Sequence, residues 1–211
     1  MALPPSTALV FKPGDRLYAP MWQLVQLCSC LQTALMSVSD LLKKGEWTGL
    51  MPSYHSNKVV YFPLTAIVEM AVRNLTPTSL AIEVGPLPAS LPPPEGIPNS
   101  MGRLITLTAA FAFANFYEAH SAWIKDTLGR DASKYPPCIQ FARLVRNAIA
   151  QNGKIFIEKE SYAGGEWNGF NYQFENNGEE IIGTTLEAAD IVFLMLDTSA
   201  ELDGLGAAIP D

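Results

Sequence analysis

Phe141-Ala142-Arg143-Leu144-Val145-Arg146-Asn147-Ala148-Ile149-Ala150-Gln151-Asn152-Gly153 is the stretch from which the rest of the chain is read. Cys138, Phe141, Ala142, Val145, Ala148 and Ile149 recur at helical spacing and line one apolar face, which Leu144 widens. Pro136 and Pro137 stand just before it, where proline suits a helix start because the first N–H groups have no intrahelical partner. Asn152-Gly153 follows, and glycine there takes the left-handed conformation that closes a helix. Arg143 and Asn147 are four apart and share a face, with Arg146 beside them.

The segment Arg-Asn-Ala-Ile-Ala-Gln-Asn-Gly resembles the signature of HEPN-domain proteins, an arginine, a polar residue and then a histidine near a helix end. Arg146 and Asn147 match its start, and Gln151 stands where the histidine is expected. The later layout, with Trp167-Asn168-Gly169, Asn177-Gly178 and an apolar helix carrying Asp190, is similar to that of uncharacterised bacterial HEPN-like proteins. The resemblance covers the C-terminal third well and the rest only by helix pattern. It implies a mainly α fold: a helical bundle, often dimeric, with a small β-hairpin or sheet inserted before the last helix. Many members are ribonucleases of toxin–antitoxin and defence systems.

In that family the arginine is thought to hold phosphate and the histidine to move a proton, a task suited to a group that titrates near neutrality. Glutamine bonds but does not titrate. Losing general acid–base help typically costs ~10²–10⁴-fold in rate. The resemblance therefore implies a non-catalytic, degenerate protein that binds a partner protein or an RNA-related ligand. Two alternatives stand beside it. One is an active metal-independent endoribonuclease using Arg146, with His120 or a relayed group moving the proton. The other is a structural or interaction protein whose arginines tie helices together through Asp190 or Glu118. The candidate catalytic set is Arg146, Asn147, the degenerate Gln151 and His120; the candidate binding set is Arg143, Arg146, Asp190 and Trp167.

Composition narrows the partners. The 211 residues suit a single domain, are 48% hydrophobic and carry a net charge of −7, which disfavours broad capture of nucleic acid without excluding a local RNA site. The three cysteines, Cys28, Cys30 and Cys138, read as buried small residues of a reducing compartment. With only His55 and His120 beside them, no metal site and no cofactor is expected. Neither a signal peptide nor a membrane-length apolar run is visible, so a cytoplasmic protein without a membrane role is expected. No Gly-rich phosphate loop, hydrolase elbow or dinucleotide fingerprint occurs.

In chain order, residues 1–20 are expected to form an N-terminal arm, and 21–152 the bundle. Its first helix runs from Met21 to Lys44, striped by Leu24, Leu27, Cys28, Leu31 and Leu35. Phe62 to Asn74 reads as a second helix, and the proline-rich stretch 76–100 as a long loop anchored by Leu80, Ile82 and Val84. Met101 to Leu128 is apolar almost all round: Ile105, Ala109, Ala112, Phe113 and Phe116 make one side, and Leu104, Leu107, Phe111 and Ile124 a second. Such a helix is central or buries a face in a partner, which favours a homodimer. After Gly153 the period changes to a hairpin region over 153–184, with Asn168-Gly169 and Asn177-Gly178 as turn signals. Thr184 to Glu187 reads as a capping box starting the last helix, 185–203, with a fraying tail at 204–211.

Overall fold

The computed structural model describes residues 7–35, 49–62, 78–90, 100–158 and 164–209. The mainly helical bundle is corrected: the chain folds as a mixed α/β protein with four helices and six strands among the described residues. Strands β1 (Thr7–Phe11), β2 (Gly49–Ser53), β3 (Lys58–Phe62) and β4 (Leu80–Pro86) make one antiparallel sheet in the order β1-β4-β3-β2. Thr7 pairs with Val84, Val60 with both Val84 and Met51, and Ser53 with Lys58.

The sheet was hidden for reasons that particular residues show. In β4, Leu80 and Ile82 are buried and Ala81 is exposed, the period-two pattern of a strand, while the prolines cluster at its end and beyond. Proline richness around a short strand masked it as a loop. Edge strand β2 carries Pro52, which lacks the N–H an interior strand needs but is tolerated at an edge. In β3, where Val59-Val60-Tyr61 reads as briefly extended in the sequence and does form a strand, Val59 to Phe62 are all buried, a continuous apolar run rather than an alternating one. Phe62 ends β3 instead of opening a helix, and the rest of that predicted helix lies outside the described residues. Residues 7–11 of the expected arm are strand β1.

Helix α1 (Tyr18–Leu35) starts within the expected arm, a turn before Met21, and its predicted end at Lys43-Lys44 and Gly45 lies outside the described residues. Helix α2 (Ser100–Leu128) matches its predicted span closely and packs on α1. Helix α3 (Pro137–Ala150) also forms as read. It closes with Asn152 and Gly153 at φ 56° and 84°, and the Gly153 N–H donates to the Ala148 carbonyl at 2.8 Å. The buried face of α3, centred on Phe141, meets a hairpin of β5 (Gly165–Trp167) and β6 (Phe170–Tyr172). Phe141 packs against the rings of Trp167, Phe170 and Tyr172, with centroids 5.6–6.1 Å away. Gly165 lets the strand lie this close, since a Cβ there would meet the Phe141 Cα at 2.8 Å.

The Asn168-Gly169 turn is as expected: both residues have positive φ, the type I′ geometry that joins two strands by two residues. Asn177-Gly178 is not a hairpin turn. Asn177 caps a single 3-10 turn, and its amide accepts from the Ile157 N–H and donates to the Ile157 carbonyl. Helix α4 (Ala188–Gly204) begins three residues after the predicted start. Its cap is Glu187 with Asp190 rather than Thr184 with Glu187, because Asp190 is the acceptor placed to reach the Glu187 N–H. The start of the tail is tied down: the buried Arg16 guanidinium pairs with Asp203 and donates to the Ala207 and Ala208 carbonyls. Helices α1 and α4 pack on the sheet, α2 on α4, and α3 on both α2 and α4.

Candidate functional site

The residues singled out in the sequence do not converge. On α3 the Arg146 guanidinium forms an ion pair with Glu118 of α2, and its Nη1 donates to the Asn147 side-chain oxygen at 3.2 Å. Both charged side chains are partly exposed, 37% for Arg146 and 47% for Glu118. A pair in that setting is worth about 0–1 kcal/mol, and it neutralises the arginine that a phosphate would need. Gln151 is the exposed C-cap residue, its backbone N–H shared between the Asn147 and Ala148 carbonyls. Five residues on, a helix has turned about 140° past a full turn, so Gln151 does not sit beside Arg146.

His120 lies elsewhere. It is 3% exposed, and its Nδ1 bonds the Phe116 carbonyl at 2.7 Å. Burial holds its pKa below the ordinary value; the Phe116 bond opposes this, and the nearby charges are Arg16 and Asp203, not Arg146. A cleft of about 320 Å³ between the start of α1, α2 and Ile209 has His120 in its wall. The imidazole Nε2 has no hydrogen-bond partner and almost no accessible surface, so the cleft does not present it to a ligand.

Asp190, expected near an arginine, is fully buried and bonds to β2 and to the start of its own helix. It accepts from the Ser53 hydroxyl and from the Glu187 N–H at 3.0 Å. Ser53 accepts in turn from the Ser56 hydroxyl at 2.6 Å, and Glu187 accepts from the Tyr54 N–H at 3.0 Å. Burial raises the Asp190 pKa, and the Ser53 and Glu187 bonds oppose that rise. These bonds fasten the β2–β3 turn to the start of α4. Trp167 donates from Nε1 to Asp197 at 2.8 Å and stacks on Phe170, so it packs the hairpin and offers no face for a nucleotide. Arg143 is half-buried, with its charge close enough to the Tyr117 and Tyr135 hydroxyls to act on them.

The arginine–imidazole arrangement of the ribonuclease alternative is therefore not assembled. Among the described residues no three His, Cys, Asp or Glu side chains gather as a metal site, and no described helix is long and apolar enough to cross a membrane.

What the structure does assemble lies on the outward side of α2. Phe111 is 65% exposed, and Leu104 and Leu107 are 40% and 39% exposed. Their spacing of three and four places them on one line along the helix. Asn115, Glu118 and Ala122 continue that line and are exposed too. Large apolar side chains are ordinarily scattered singly on a surface; three in a row on one helix are a patch. Glu118 joins this patch to Arg146, so the α2 line and the α3 arginine form one continuous surface. The sequence held the signal, in the second apolar side of Met101 to Leu128; only Ile124 of that side is buried.

The class defined by these features is a mixed α/β protein with an apolar core and an exposed apolar line on one helix. No family model, curated protein or solved structure is similar enough to the chain to count as a match.

Proposed function

We propose that this chain is a non-catalytic interaction protein that works by applying the outward face of α2 to another folded protein surface. The observation that carries the reading is the exposed line Leu104, Leu107 and Phe111 on a helix whose opposite side is already filled by Ile105, Ala109, Phe113 and Phe116. The chemistry supports binding over cleavage: Arg146 is occupied by Glu118, Gln151 cannot titrate, and His120 is turned into the interior. RNA as a ligand is disfavoured by the net charge of −7. A cytoplasmic setting fits the free thiols Cys28 and Cys138, whose burial pushes them up to about 12 and about 11.

The test pairs an activity with a stability. RNA incubated without metal should stay intact with wild type, Arg146→Ala and Gln151→His alike. Phe111→Glu, melted at low protein concentration, should unfold within a degree or so of wild type, because an open face contributes nothing to the isolated fold. RNA cutting that vanishes in a folded Arg146→Ala overturns the reading. So does a Phe111→Glu variant that melts as low as a core variant, since another part of the same chain would then cover the face.

A further inference from the structure

We infer that the surface completing α2 is the same face of α2 on a second copy, packed antiparallel, with Leu107 of one copy against Phe111 of the other. This rests on reading the face as an interaction surface, and adds to it the partner and the register.

The stripe follows a heptad: Leu104, Phe111 and Glu118 recur every seven residues, with Leu107 and Ala114 between them. Two antiparallel helices interleave the two kinds of position. Aligning Leu107 with Phe111 of the other copy makes that contact twice, once on each side of a two-fold axis at the level of Ala109. The same alignment sets Leu104 opposite Ala114, a large side chain facing a small, half-buried one. An isologous contact of this kind closes at two copies and builds no filament.

Charge chooses the direction. Arg103 flanks the start of the stripe and Glu118 lies four turns further along. An antiparallel pair brings the Arg103 end of one copy within about one turn of Glu118 of the other. A parallel pair sets Arg103 on Arg103 and Glu118 on Glu118, and lines up the two helix dipoles, both unfavourable. Each charge already has an exposed partner in its own chain, Glu180 for Arg103 and Arg146 for Glu118. Their contribution is therefore to orientation more than to affinity.

The experiment uses the full chain carrying Leu107→Cys or Phe111→Cys, each first checked by thermal melt, under mild oxidation. Disulfides need Cα atoms roughly 4.4–6.8 Å apart, so cross-linking reads register directly. A one-to-one mixture of the two variants should form the cross-linked dimer several-fold faster than either variant alone, with wild type as the control for the native thiols. Faster cross-linking of each variant with itself overturns the antiparallel register. A dimer that forms but cross-links at neither position overturns the α2 face as the contact between copies. A chain that stays monomeric at every concentration overturns the choice of a second copy, while the behaviour of Phe111→Glu still decides whether the face is open.

Discussion

Helices α2 and α3 lie against each other and share the core, yet they finish their outward sides differently. α3 buries Phe141, Ala142, Val145 and Ala148 and turns Arg146, Asn147 and Gln151 outward, so water and Glu118 satisfy its outer side. α2 buries an equally apolar side and then turns Phe111, Leu107 and Leu104 outward as well. The difference teaches where to look for function in this chain. A helix whose amphipathic pattern closes on its own core needs nothing more; one that is apolar on two sides and covered on one leaves apolar area in water, at about 25 cal/mol per Å².

The sharpest contrast comes from the two phenylalanines. Phe141→Ala should cost about 3–5 kcal/mol in urea unfolding, because it empties a site enclosed by Trp167, Phe170 and Tyr172. Phe111→Ala should leave that unfolding free energy nearly unchanged and weaken association instead. If the two cost the same, the helices do not differ as described.

Asp190→Ala comes next. It strips the acceptor from the Ser53 hydroxyl and the Glu187 N–H, and a buried donor left without a partner costs about 1–3 kcal/mol. RNA-free binding properties of the α2 face should be untouched, which separates the fastening from the surface. Arg146→Ala should change stability by no more than about 1 kcal/mol, as the exposed pair implies; a larger loss in a chemical melt would return α3 to the centre of the account.

The smallest expected effect is a pH dependence. His120 has a folded pKa below its ordinary value, so below about pH 6.5 the unfolded chain takes up a proton that the native chain withholds. Its contribution to stability is complete above that pH and declines as pH falls toward and through the folded pKa. His120→Phe removes a buried acceptor without a partner and should flatten the curve there, with equal or higher stability at pH 7. Asp190 and Glu187, whose pKa values are raised by burial, act in the opposite sense. The difference between wild type and variant is therefore the quantity to measure.

How much of this was legible in the sequence depended on length and period. The 29 residues of α2 and the strongly amphipathic α3 announced themselves, as did the Asn168-Gly169 turn. The sheet did not: its strands are five to seven residues long, one carries Pro52, and β3 is apolar throughout, so helical, loop and strand readings competed on few residues. The arginine motif matched a local pattern, but a pattern within one helix does not say which side chains other elements bring to it. Glu118, on another helix and 28 residues before Arg146 in the chain, decided the state of that arginine. The α2 surface was visible as a second apolar side; that it faces outward needed the fold, since the same pattern suits a helix buried all round.

The most direct test of the central claim is the solution mass of the chain across a dilution series, by sedimentation equilibrium, for wild type and Phe111→Glu side by side. The account predicts that wild type rises from the 23.0 kDa of one chain toward twice that mass with concentration, and that Phe111→Glu, equally folded, stays at one chain throughout. A wild type that remains at one chain's mass, or a Phe111→Glu variant that assembles as wild type does, contradicts it.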